Sequence, residues 1–288
     1  MKRDITQLLS PELSQLSSRN DKKRKPTNLN KKVQTVLNFP SSSPNASQST
    51  TCPTCGMTYY SHVSKDNDVH NKYHFNFING IPWPTSFCNN VLERFIVVDH
   101  TTGKAKGTSK SKKSQAASKE TLVMTIDRRA SKQVKRVEEI LKVVNGELNA
   151  ASDGKAWQKD HKGPIQGRAF IVVIDGRAIG ICTTEPIQDV DQQCRWIIHR
   201  TQALVPNQVN RLIKLGISRI WIAPKWRRYG LARRLLDIVL VHSVYGIVLD
   251  KKEIGFSQPS FSGGLLAKSF NGVTHKSGEI LIPVYLEE

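Results

Sequence analysis

Four residues in the passage CPTCGMTYYSHVSKDNDVHNKYHFNFING, residues 52–80, have the types and spacing of a metal site. Two residues separate Cys52 from Cys55, which puts both thiols on one tight turn. Three separate His70 from His74, which puts both imidazoles on one face of a helix, a turn apart. Two soft thiolates and two borderline imidazoles can close a tetrahedron about Zn²⁺, and the metal would supply folding energy that so polar a segment lacks. Tyr59, four positions after Cys55, is the expected aromatic of this small core, whereas His62 and Cys88 fit neither spacing. A solitary finger, with fourteen residues between its pairs and two aspartates in its helix region, reads as a packed structural module and not as a reader of DNA bases.

A second passage, GISRIWIAPKWRRYGLARRLLD, has the makings of an anion site. A β-rich strand, Ile217 to Ala223, runs through a loop into an amphipathic helix, and the junction reads Arg227, Arg228, Tyr229, Gly230, Leu231, Ala232, Arg233. Unpaired N–H groups and the positive end of the helix dipole at such a junction point at a phosphate or pyrophosphate. Gly230 and Ala232 allow close backbone approach, and Arg227 and Arg228 add charge. Further along the helix stands Asp237, amid LLDIVL. A carboxylate on a largely apolar helix is costly unless it is ion-paired or functional.

The elements that must position these residues alternate. LERFIVVD and TLVMTID read as strands on either side of a lysine-rich insert, 101–120, and SKQVKRVEEILKVVNGELN has apolar residues at the spacing of a helix. RAFIVVIDGRAIGICTTEPI is two β-rich runs about Asp175–Gly176, a turn that joins a hairpin. RWIIH and RLIKLGISRIWIAP add strand, WRRYGLARRLLDIVLVHSVY reads as helix, and EIGFSQP and EILIPVYLEE are strands around a short helix GLLAKSF. The expectation is a mixed α/β domain of the α+β kind over 91–288, preceded by the finger at 52–80 and a disordered basic tail at 1–51.

Charge separates the tail from the domain. The 288 residues carry 43 Lys and Arg against 24 Asp and Glu, a formal net charge of +19. Residues 1–51 hold nine basic side chains against three acidic, and 101–120 hold six lysines against one glutamate, both in Ser-, Thr- and Asn-rich surroundings that cannot bury a core. No run approaches the length of a membrane span, no apolar core of a signal peptide follows the N-terminus, and five cysteines with one close pair do not suggest a disulfide framework. A membrane or secreted protein is therefore not expected. In the tail, NDKKRKP is a basic run of the kind that serves nuclear import or contacts phosphates. After it, Gln34, Leu37 and Phe39 resemble in part the peptide that docks on the sliding clamp PCNA; that motif has aromatics where this chain has Pro40 and Ser41.

The Arg-x-x-Gly-x-Ala loop is similar to the acetyl-CoA signature of the GNAT superfamily of N-acetyltransferases. Together, the CPxCGMxY…His-x3-His finger, the GISRIW strand, this loop and the block EIGFSQPSFSGGLLAKSF resemble the establishment-of-cohesion acetyltransferases, the Eco/ESCO family, over about residues 52–288; the chain looks like a fungal member. The resemblance implies a protein-lysine N-acetyltransferase that takes acetyl-CoA as cosubstrate and Zn²⁺ as a structural ion. It implies acetylation of the SMC head subunit of cohesin in S phase, a nuclear, chromatin-associated location, PCNA as recruiting partner, and sequence-independent contact of the basic tail with DNA. It assigns backbone contacts to the pantetheine arm at Ile220, Trp221 and Ile222, the pyrophosphate to 228–233, and the rest of the cofactor site to Ser260, Phe261 and Ser262. It points to Ser218, Asp237, Ser257 and Gln258 for the chemistry. Animal relatives carry an aspartate at position 258, proposed as base, and a glutamine cannot take that proton. Asp237, Glu253 or a chain of waters then remain as acceptors, with Ser218 and Ser257 orienting or relaying; Glu253 reads equally as a surface charge at a strand start. The competing expectation is a chromatin or clamp adapter whose GNAT domain is inactive.

Overall fold

The Asp175–Gly176 pair shows how local chemistry builds this fold. Both residues have positive φ, 48° and 68°, as the turn of a tight hairpin requires, and they join β6 (Arg168–Ile174) to β7 (Arg177–Pro186). These central strands are buried almost throughout, Thr183 and Thr184 of β7 included.

The computed structural model describes residues 49–99, 117–151, 156–159 and 161–287. Gln34, Leu37, Phe39 and the rest of the basic tail through residue 48 lie outside the described residues, as does most of the lysine-rich insert. The described chain opens with a small hairpin, β1 (Thr50–Thr51) and β2 (Thr58–Tyr59), followed by α1 (Ser64–Asn79) and β3 (Ile81–Pro82). Next come β4 (Val91–Asp99), β5 (Ala117–Thr125) and α2 (Ser131–Leu148), then the β6–β7 hairpin. A short α3 (Val190–Gln193) leads to β8 (Cys194–Ile198) and β9 (Leu204–Val209). The remainder is β10 (Leu215–Ile222), α4 (Leu231–His242), β11 (Ile254–Phe256), α5 (Phe261–Asn271), β12 (Val273–Thr274) and β13 (Ile280–Tyr285).

One large sheet carries the strands in the order β4-β5-β6-β7-β10-β11-β13-β8-β9, with β3 on β7 and β12 on β13. Its pairs are antiparallel except at the centre, where β10 and β11, and β11 and β13, run parallel. The mixed α/β expectation holds, with two changes of boundary. The insert ends at residue 116, because Ala117–Glu120 already pair with β4; Arg94 of β4 meets Glu120 at 3.2 Å, and Lys119 reaches Asp175 in the β6–β7 turn at 2.8 Å. The helix expected from Trp226 starts at Leu231, because Arg228 and Gly230 have φ of 69° and 76° and break helical geometry before it.

The finger and the sheet fall in one compact unit. Helix α1 outruns the finger, burying Phe77 against Trp221 of β10 with ring centroids 6.5 Å apart. At its end Arg177 Nε donates to the Gly80 carbonyl at 2.9 Å and Nη2 to Asn76 Oδ1 at 2.8 Å. Gly80 has φ of 86°, and a Cβ there would meet the Ala178 carbonyl at 2.5 Å, so glycine alone permits the helix to hand the chain to β3.

Candidate active site and metal centre

The functional geometry follows from a defect in the central strand. Strand β10 pairs with β7 in regular register except between Ile217 and Arg219, where Ser218 bulges out. On its other side β10 pairs with β11 through only three residue pairs, ending at Ile217 and Phe256, and Ser257 adds one bond from its N–H to the Ile217 carbonyl at 3.0 Å. Beyond that point the two parallel strands part, leaving a cleft of about 110 Å³ lined by Ser218, Arg219, Ile220, Ser257, Gln258 and Ser260, among others.

Antiparallel alternation decides which backbone groups face this cleft. Ala223 N–H bonds to the Ile179 carbonyl on β7 at 2.7 Å, so Trp221 and Arg219, two and four residues back, also face β7. Ile220 therefore turns its N–H and C=O, and Ile222 its N–H, into the split; the Ile222 carbonyl is taken by Arg227 Nε. Trp221, expected with them at the cofactor, is corrected: its backbone belongs to the β7 ladder, and its buried indole donates to Glu147 Oε2 at 2.5 Å.

Past the end of β10 lies the loop before α4. Gly230 is the residue before the helix, and the space where its Cβ would stand holds nothing within 4 Å. The first helical bond runs from Arg234 N–H to the Gly230 carbonyl at 3.1 Å, so the N–H groups of Leu231, Ala232 and Arg233 have no helical partner. Arg228 and Arg233 are exposed beside them. Arg227 is engaged otherwise: Nη2 meets both Glu147 carboxylate oxygens, at 2.7 and 2.9 Å, and Nε donates to the Ile222 carbonyl at 2.8 Å. Its role is to fold the loop back on α2. Tyr229 packs on Trp226 with centroids 5.8 Å apart and fixes the same turn.

The polar candidates separate. Ser218 is buried, its hydroxyl 2.8 Å from Thr183 Oγ1 and donating to the Thr183 carbonyl at 3.2 Å. Ser257 Oγ donates to the Ser218 carbonyl at 2.8 Å, so both serines stand at the point of divergence. Gln258 lines the cleft and is exposed. Asp237 does not belong there: it sits on the solvent face of α4, half exposed, 3.8 Å from Lys251 Nζ. The apolar run around it wraps the helix, but 230, 233, 234, 237 and 241 share its outer stripe. Glu253 is also displaced. Its side chain accepts from the Asp250 N–H at 2.8 Å and from Lys214 Nζ at 2.5 Å, in a capping box that starts the short turn before β11. The Lys214 ammonium, first, and that N–H hold its carboxyl below the usual range. Of the three residues 260–262, Ser260 lines the cleft and caps α5, accepting from Gly263 N–H at 3.3 Å. Phe261 is 86% exposed and faces a neighbouring hollow with His199 and Lys268, and Ser262 is exposed, its hydroxyl 3.4 Å from that of Ser260.

Arg219 at the cleft, and the residues that hold Ser218 and Arg219 from behind it, had no signal in the sequence. Thr183 is legible only once the β7–β10 register is known, and Arg219 and its partners only once the bulge is.

In the finger, one ligand atom each from Cys52, Cys55, His70 and His74 lie within 4.8 Å of one another. Both ring nitrogens of His70 are buried without a hydrogen-bond partner among the described residues, and a metal would take one of them. Tyr59 stacks on the His70 ring at 3.9 Å. Cys52 Sγ is 3.4 Å from His74 Nδ1, and the Cys55 N–H, first, then His70, lower the Cys52 thiol to about 5, a thiolate at neutral pH. The donor set and its orphaned nitrogens fit Zn²⁺. His62 and Cys88 stand outside the cluster.

Comparisons with known proteins match both halves of this picture. A family model described as ESCO1/2 acetyl-transferase matches residues 211–281, and one described as zinc-finger of acetyl-transferase ESCO matches 34–76. The chain is 99% identical to N-acetyltransferase ECO1 of Debaryomyces hansenii over the full length of both. It is 36% identical to N-acetyltransferase ECO1 of Eremothecium gossypii, over 93% of this chain and 98% of the relative. The solved xEco2 acetyltransferase domain aligns with a TM-score of 0.43 and 23% identity, over 58% of this chain and 91% of that one.

Proposed function

The chain belongs to the ECO1/ESCO family of N-acetyltransferases, a GNAT-type domain behind a structural zinc finger, and on that premise we propose how its own residues perform acetyl transfer and on what. The reaction is acetyl-CoA-dependent and consistent with cohesion establishment. An amine attacks the thioester carbonyl, a C–N bond forms, the C–S bond breaks, CoA leaves as the thiol, and the amine gives up a proton.

The observation that carries the assignment is the parting of β10 from β11 below an open helix start. The pantetheine arm lies along the free edge of β10, bonded to the backbone of Ile220 and Ile222, and is walled on the other side by Ser257 to Gly263. Its pyrophosphate rests on the N–H groups of Leu231, Ala232 and Arg233, with Arg228 supplying charge. The empty side of Gly230 leaves that approach open. Ile220 N–H stands next to the bulge, where a thioester oxygen would accept it as charge develops. Ser218 and Ser257 order the bulge. Gln258 lines the cleft but has no proton affinity of use, and Asp237 and Glu253 are turned away, so the proton leaves through solvent in the cleft.

The acceptor is a lysine of the cohesin SMC head, as family identity implies, and the same identity implies a nuclear, chromatin role. We assign recruitment to the tail: Gln34, Leu37 and Phe39 for the PCNA clamp, and its basic residues for non-specific DNA contact. Purified protein with labelled acetyl-CoA and an SMC head fragment tests the reading. Label on head lysines is expected; absence of transfer together with absence of CoA binding would favour the inactive-adapter alternative.

A further inference from the structure

Arg219 is a charged side chain buried in the sheet and held by four hydrogen bonds. It projects from β10 at the bulge, is 5% exposed, and lines the cleft. A guanidinium so buried is tolerated only with its donors satisfied and its charge matched. Four acceptors do this. Nε donates to Asn145 Oδ1 of α2 at 2.9 Å, and Nη2 to the Ala151 carbonyl at 3.0 Å. Nη1 donates at 2.6 Å both to the Ser218 carbonyl and to Glu287 Oε1, beyond β13. Glu287 is the carboxylate in ion-pair contact with it, itself one-third exposed at the side chain. The segment carrying it is tied down by Leu286 N–H on the Gln193 carbonyl at 3.0 Å.

The Ser218 carbonyl is the pivot. By the alternation already described it points into the split, where a continuous ladder would have given it a β11 N–H. Here it accepts from Ser257 Oγ, at 2.8 Å, and from Arg219 Nη1, at 2.6 Å. Those two bonds hold the bulge from the β11 side and the α2 side. The next inward-facing donor is Ile220 N–H, two residues along, so the bulge sets where that donor stands.

We infer that Glu287 is a positioning residue for acetyl transfer: by neutralising and aiming Arg219, it fixes the bulged Ser218 carbonyl and hence the Ile220 N–H against the thioester. The inference rests on the acetyl-transfer reading of the cleft. It separates the two ends of the site. Among the described residues the side-chain bond and ion pair of Glu287 go to Arg219 and not to the loop around Gly230, so losing Glu287 should disturb the chemical step and leave cosubstrate binding alone.

The test compares full-length wild type, Glu287→Ala and Glu287→Gln, with CoA affinity from calorimetry and kcat and KM from acetyl transfer. CoA binding and turnover of the wild type examine the acetyl-transfer reading by themselves; the ratios between variants examine the latch. Glu287→Ala is expected to lower kcat about 10- to 100-fold, the scale of a misplaced donor, with CoA affinity and KM for acetyl-CoA within about 2-fold. Glu287→Gln keeps an oxygen acceptor for Nη1 and should recover most of that loss, to within about 5-fold of wild type, with an unchanged pH profile. Unaltered kcat in Glu287→Ala would overturn the inference. So would a parallel collapse of CoA binding, which marks a merely structural pair. If Glu287→Gln were as slow as Glu287→Ala and lost the acid limb of the pH profile, Glu287 would be the proton acceptor and the positioning role would be wrong.

Discussion

Two substitutions at Gly230 separate backbone strain from charge, and the structure gives each a size. Gly230 has φ of 76° with nothing within 4 Å of a built Cβ. Gly230→Ala therefore adds left-handed strain and no collision, about 1 kcal/mol, which in a unit of this size lowers Tm by about 2–4 °C. Its effect on acetyl-CoA should be slight. Gly230→Asp carries the same strain and places a carboxylate where the cosubstrate's phosphates approach. At about 5 Å and an effective dielectric of about 40, each phosphate charge is repelled by about 1.7 kcal/mol, so two give about 3 kcal/mol before screening. Salt at physiological strength removes part of this, leaving about a 30- to 100-fold loss of affinity that shrinks as salt rises. The assay is KM for acetyl-CoA beside KM for acetyl-pantetheine, which lacks the pyrophosphate. The aspartate should weaken the first by that factor and leave the second within about 3-fold. Equal effects of Ala and Asp, or equal effects on the two donors, would refute the argument that this loop holds the phosphates.

Other expectations follow from the same contacts. Chelation, or Cys52→Ala, should release about one zinc per chain and lower Tm, and it should change Trp221 fluorescence, because Phe77 of the finger helix packs on that ring. Phe77→Ala should cost about 3–5 kcal/mol by denaturant titration while keeping the zinc, the core cavity lying beyond the metal site. Asp237→Asn should keep kcat within about 3-fold, as expected of an exposed surface carboxylate outside the cleft. Glu253 titrates below its unfolded value in the folded chain, so its stabilisation is complete above the unfolded value, near 4.5, and is lost as pH falls through the lower folded one. Glu253→Gln should flatten the acid limb of a Tm-against-pH curve there and leave the curve above pH 6 parallel to wild type.

What could be read from the sequence was what chemistry keeps local. The Cys-x2-Cys and His-x3-His spacings, the Asp175–Gly176 turn and the strand-loop-helix around Gly230 each depend on a few neighbouring residues, and each is present, the helix alone starting later, at Leu231. The contents of the cleft depend on pairings far apart in the chain. Thr183 meets Ser218 across 35 positions and Arg219 meets Glu287 across 68, so no periodicity reveals them. Trp221 was misassigned because strand membership alone does not say which backbone groups face which neighbour; the ladder's parity does. Asp237 was overvalued for a simpler reason. Counted by helical turns, its position falls on the exposed stripe with Arg233 and Arg234, whatever its apolar neighbours in sequence.

The most direct measurement is a crystal structure of the protein with CoA. The account predicts the pantetheine arm between the parted β10 and β11, bonded to the backbone of Ile220 and Ile222, with the pyrophosphate on the N–H groups of Leu231 to Arg233. CoA bound with that edge still vacant, or with its phosphates away from Gly230, would contradict it.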